Sequence, residues 1–244
     1  MIPDRSDSRC VTFQAVCLLA LLTLGGPAHA QAQDVDTRPG IAVLPFDVTQ
    51  LPPTDLAGSG LNFGLQHMLL SELDGNPTLR IVERRVLNEV MQEFDLHGRG
   101  NVDGQTAAEL GRIVFARYMV GTSYFDDRGE VRLDARVIDV ETTEVIQTAR
   151  VRGREQVFDL ITRLAEAVTE VIDLPPLPEG VREARSEEQV PPAEAGEALR
   201  LLSLAIASEE YGDVDQAIEY LSNAIDRWPN YSEAVELRTK LLEG

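Results

Sequence analysis

The sequence predicts an α+β fold: a mixed, largely antiparallel sheet with packed helices, followed by a small all-α helical hairpin. Three observations carry this expectation. Apolar strand and helix patterns follow one another as strand, helix, strand, helix, helix, three strands, helix, which is not the regular alternation of a parallel βαβ repeat. Within the late strands, Val131, Leu133, Ala135 and Val137 alternate with Arg132, Asp134 and Arg136, giving one buried and one wet face. Residues 174–196 then concentrate proline and charge, and beyond them the pattern is helical.

Ile41 to Phe46 is an apolar run suited to a buried strand, with Pro45 suggesting a strand end or an edge position. Leu61, Leu65, Met68, Leu69 and Leu73 recur at helical spacing until Gly75-Asn76-Pro77 stops the helix. Leu79 to Val82 reads as a second strand. Val86, Leu87, Val90, Met91 and Phe94 mark a second helix, closed by Gly98 and Gly100. Asp103 is placed to cap a short third helix through Ala107, Leu110 and Val114. Tyr118 to Phe125 and Val131 to Val137 form strands around a turn at Asp126-Asp127-Arg128-Gly129. Asp139 to Glu144 turns the chain into a last strand, Val145 to Arg152. Val157, Leu160, Ile161, Leu164, Val168 and Val171 close the unit as a helix.

The first 30 residues read as a secretory signal peptide: Arg5 and Arg9, an apolar run from Val11 to Leu24, and the small-residue site Ala28-His29-Ala30. That run is shorter than the about 20 residues needed to span a bilayer, and no second long apolar segment follows. Cys10 and Cys17 both lie inside this leader, and no lipobox precedes Cys17. A thiol-free mature chain without a lipid anchor is therefore expected, in the periplasm of a Gram-negative cell. The leader holds two acids and two bases (Asp4, Asp7, Arg5, Arg9), so its removal keeps the net charge of −19. Such a surface disfavours nucleic acid and anionic headgroups.

Residues Gly58-Ser59-Gly60-Leu61-Asn62-Phe63-Gly64 stand before a helix and invite comparison with a phosphate loop, with Glu83 where a ribose ligand would fall. The glycines are too far from the first strand, however, because Asp47 to Ala57 intervene and Thr54 or Asp55 could already cap the helix. The expectation is a helix entrance with close backbone packing, and no cofactor. His67 and His97 are expected at the surface or its boundary and offer no zinc spacing. Arg99 to Gly104 lacks the carboxylates of a calcium loop, and Asp213-Val214-Asp215 reads as a turn and cap. Paired carboxylates occur in any chain this acidic, and no nucleophile with a base is visible, so an enzyme is not expected.

In Ala198 to Tyr231, Leu201, Leu204, Ala205, Gly212, Ala217, Leu221, Ala224 and Pro229 follow a register that resembles a tetratricopeptide repeat. Small residues let two helices approach, Gly212 permits the turn and Pro229 stops the second helix. Residues 197–244 are assigned to this segment, with Ala234, Val235, Leu237, Leu241 and Leu242 as the apolar side of a further helix. The resemblance implies a protein-binding groove at Leu199, Leu202, Ile206, Glu209, Asn230 and Tyr231. Three apolar residues there should not face water. Another protein, the first domain, a second copy, or the last helix and the linker would each cover them.

Residues 39–173 resemble the CsgG/FlgO-type periplasmic domain of curli assembly, a shape shared with lipoprotein activators of penicillin-binding proteins. The stretches that carry the likeness are IAVLPFDV, GSGLNFGLQHMLLSEL, LRIVERRVLNEVMQEF, NVDGQTAAELGRIVFARYMVGTSYF and VRLDARVIDVETTEVI. The resemblance implies a non-catalytic envelope module that assembles with other proteins. No insertion offers the about 9–11-residue alternating strands of a membrane hairpin, so a pore is not expected. The combined expectation is a soluble periplasmic scaffold or assembly protein with envelope proteins as partners, self-association, and peripheral contact with the outer membrane. A ligand-sensing module or a regulator of a cell-wall synthase is the alternative.

Overall fold

The computed structural model describes residues 36–48, 60–154, 156–176, 178, 180 and 194–243. The expected signal peptide, Thr54, Asp55, Gly58 and most of the expected linker lie outside these residues. Thr37 to Gly244 form one compact unit.

Its elements run β1 (Gly40–Asp47), α1 (Leu61–Asp74), β2 (Arg80–Ile81), α2 (Arg84–Glu93), α3 (Gly104–Ile113), β3 (Tyr118–Asp127), β4 (Glu130–Asp139), β5 (Val145–Gly153) and α4 (Val157–Val171). The tail follows as α5 (Ala195–Glu210), α6 (Val214–Arg227) and α7 (Ser232–Glu243). The sheet order is β2-β1-β3-β4-β5. β1 pairs parallel with β2 and β3, and the longer β3-β4-β5 pairings are antiparallel. The fold is thus α+β with a mixed, largely antiparallel sheet.

Local chemistry explains the boundaries. Asp103 Oδ1 accepts from the backbone N–H of Gln105 and Thr106 at 3.0 Å each, and its Oδ2 from Thr106 Oγ1 at 2.7 Å. These bonds satisfy the first amides of α3 and hold the Asp103 carboxyl below its usual range. Arg128 and Gly129, both at positive φ (55° and 80°), form the two-residue connection that joins Asp127 to its partner Glu130. Pro45 departs from expectation, because β1 is an interior strand rather than an edge. The register slips between Val43 and Phe46, and this irregularity accommodates a residue with no N–H to give.

Alternation on β1 divides the core in two. Ile41 and Val43 join the apolar cluster that contains α1 and α4, while Ala42 and Leu44 join the one containing α2 and α3. Buried on both sides, β1 is the structural centre. α2 and α3 cover only the β1 half of their face, so Arg132 and Asp134 on β4 face outward. There Arg150 Nε reaches Asp134 at 2.5 Å and the Arg132 guanidinium lies 4.0 Å from the Phe125 ring centre. The layers are therefore α2/α3, the sheet, α1/α4, and the tail helices outside α1.

Candidate interaction surfaces

The tail hairpin forms because Ala205, Ala217 and Ala224, all fully buried, let α5 and α6 approach closely. Glu194 accepts from Trp228 Nε1 at 2.9 Å and Glu197 from Arg227 NH1 at 3.1 Å, so the start of α5 lies beside the end of α6 and the helices are antiparallel. Leu199, Leu202 and Ile206 fall on one stripe of α5, and all three are buried in the same cluster as Leu65 and Leu69 of α1. Of the occupants the sequence leaves open for this face, the structure seats the first domain's α1 on it.

The fit depends on two glycines. A Cβ built on Gly64 would stand 2.0 Å from Ser203 Oγ, and one on Gly60 would stand 2.5 Å from the Ala207 Cβ. Gly60 is also the N-cap of α1, with a left-handed φ of 71°. Gly60 and Gly64 sit four residues apart on one element, as Ser203 and Ala207 do on α5, so two small-residue notches interlock and the backbones meet. Small residues at that spacing permit close helix approach. The glycines that invite a phosphate therefore receive a helix.

Charge closes the same contact. Arg84, the first residue of α2, reaches both Glu209 and Glu210 at the end of α5. Desolvation by burial works against the Arg84 charge and Glu209 supports it. Glu83 and Lys240 of α7 approach to 3.7 Å at the rim, an exposed pair worth little. His67 of α1 is partly buried beside this junction. Burial, and then the charges of Arg84 and Lys240, push its pKa down to about 4, so the imidazole is neutral near pH 7.

The remaining groove residues separate. Glu209 belongs to the Arg84 pair, whereas Asn230 is exposed. Tyr231 is buried and meets Phe158 of α4 edge-on at 6.2 Å, and its hydroxyl is held well above its usual pKa by burial. The apolar stripe and the close packing at the Gly60–Gly64 helix entrance were legible in the sequence, whereas Arg84 and Ser203 were not. The matched four-residue spacing of small residues was the available signal. His97, a boundary residue as expected, lies between the rings of Phe63 (5.8 Å) and Tyr211 (6.0 Å). No group of three or more His, Cys, Asp or Glu side chains able to hold a metal ion occurs among the described residues.

A second surface lies at the end of the sheet where β1, β3 and β5 begin. Ile113, 45% exposed, ends α3, Phe115, 81% exposed, lies just beyond it, and Val145 and Ile146 are also exposed at the start of β5. Phe115 has a positive φ of 54°, so the backbone itself reverses here. Arg80 donates to the Phe115 carbonyl, Arg112 reaches the Thr143 hydroxyl at 3.0 Å, and Arg117 pairs with Asp139 at 2.7 Å. These bonds tie the loops at this end of the sheet together, and the exposed apolar residues lie in or beside them. No helix among the described residues is long and apolar enough to cross a membrane.

Residues 30–127 match the family model of the curli production assembly/transport component CsgG, ending with β3 and before the tail. No curated protein matches the chain. Among solved structures, the C-terminal domain of LpoB from Escherichia coli is similar at 17% identity and a TM-score of 0.37, covering 47% of this chain and 82% of that one. Lipoprotein GNA1162 from Neisseria meningitidis is similar at 15% identity and a TM-score of 0.40, over 55% of this chain and 96% of that one. A PelC dodecamer from Paraburkholderia phytofirmans is similar at 17% identity and a TM-score of 0.35, over 57% and 89%.

Proposed function

We propose that this chain is a non-enzymatic assembly or scaffold protein of the cell envelope, exported to the periplasm, that acts by binding other proteins. The match of residues 30–127 to the CsgG family carries this reading. Burial supports a location for that binding. The tail groove is filled from within the chain, so the helical tail braces the first domain, and recruitment passes to the exposed face of Ile113, Phe115, Val145 and Ile146. Large apolar side chains grouped on a surface and rimmed by polar ones mark contact sites more often than chance exposure.

The test is crosslinking of the exported protein in its own cell, with Ile113→Glu/Phe115→Glu beside the wild type. Loss of specific envelope adducts from a folded variant supports the reading. An unchanged adduct set contradicts the assignment of this face, and the absence of any envelope adduct contradicts the function.

A further inference from the structure

A polar cleft of about 250 Å³ opens between α2 and the end of α5, lined by Arg85, Asn88, Glu89 and Gln92 from one side and Glu209 and Glu210 from the other. Two features are unusual for a surface cleft. First, its charge does not balance. The Glu209 and Glu210 side chains are 10% and 6% exposed, and both lean on the single guanidinium of Arg84, itself 8% exposed. One buried carboxylate charge is therefore left over, a costly arrangement without a second cation. Arg85 and Glu89, one helical turn apart on the rim, offset each other formally. Second, Asn88 is 2% exposed, and neither Oδ1 nor Nδ2 has a hydrogen-bond partner. A buried carboxamide normally spends both atoms, so this one is set for a guest or a trapped water.

We propose that this cleft binds an ammonium group that has a carbonyl beside it, as at the amino terminus of a peptide or in a free amino-acid amide. The ammonium supplies the missing positive charge to Glu209 and Glu210 and a donor to Asn88 Oδ1, while Asn88 Nδ2 donates to the neighbouring carbonyl. Charge-assisted bonds in a partly dry site are stronger than neutral ones, so they discriminate against an acylated amine. The donor set also suits N–H groups better than a metal, since no metal-holding group occurs among the described residues. The site holds whether or not the chain acts by recruiting proteins through the end of its sheet.

The test is NMR titration of the full chain with glycinamide, N-acetylglycinamide and tetraglycine, read from the backbone amides of Arg85 to Gln92, Glu209 and Glu210 in every variant and from the Asn88 side-chain amide where it is present. The expected result is saturable 1:1 binding of glycinamide in the millimolar range, with N-acetylglycinamide at least about tenfold weaker. Tetraglycine binding as well as glycinamide assigns a peptide terminus as the source, and tetraglycine failing while glycinamide binds assigns a free small molecule. Asn88→Leu and Glu210→Gln should each weaken glycinamide at least about tenfold. Glu210→Gln should also leave the unliganded midpoint of unfolding unchanged or raised, because it removes the surplus charge. No saturable response to glycinamide, an equal response to the acetylated probe, or indifference to both substitutions overturns the site. A lowered midpoint in Glu210→Gln shows that the two carboxylates serve Arg84 alone and also overturns it.

Discussion

Two apolar surfaces of this chain end differently. Leu199, Leu202 and Ile206 are buried against α1, locked by Gly60 and Gly64 and closed by Arg84, while Ile113 and Phe115 remain in water at the end of the sheet. The difference is complementarity. The tail face meets a surface with matching notches and an opposite charge, and the sheet end meets none among the described residues. A patch that the molecule does not use internally is the better place to seek a partner.

Substitutions probe that contrast, from the largest expected effect downward. Arg84→Leu leaves Glu209 and Glu210 buried without a cation and should destabilise by about 3–5 kcal/mol in urea unfolding. Leu202→Ala removes a fully buried side chain and should cost about 3 kcal/mol by the same measurement. Gly64→Ala forces Ser203 aside and should cost about 1–3 kcal/mol, whereas Gly104→Ala, with no atom within 4 Å of the new Cβ, should not overcrowd its site.

His67 gives a pH signature. Its pKa is 6.5 when exposed and about 4 in the fold, so the unfolded chain binds the extra proton and stability falls as pH drops through that window. At pH 5.5 the loss from this group should be about 1 kcal/mol, and His67→Gln should flatten that part of the profile. Ile113→Glu/Phe115→Glu should change stability by less than about 0.5 kcal/mol, confining its effect to partner capture.

Much of the fold was legible because its signals are local. Asp103 capping α3, Arg128-Gly129 closing the β3-β4 turn, and the alternation of β4 each depend on neighbours in the chain. The α5 stripe was legible as a face in need of cover, but periodicity does not say what covers it. Arg84 and Glu209 are 125 positions apart, and nothing in either neighbourhood announces the other. Phe115 sits in a run, VFARY, that reads as apolar, and only the backbone reversal at that residue turns its side chain to solvent. Pro45 misled because an interior strand can absorb a proline where its register slips.

The central claim is that the tail and the α+β domain are one structural unit joined through α1 and α5. Native-state hydrogen exchange in low denaturant tests it most directly. The account predicts that amides of Leu202 to Ile206 on α5 and Leu65 to Leu69 on α1 open with a common free energy, and that Gly64→Ala lowers both together. Fast, independent opening of α5 while α1 and the sheet stay protected, with no response to Gly64→Ala, would contradict it.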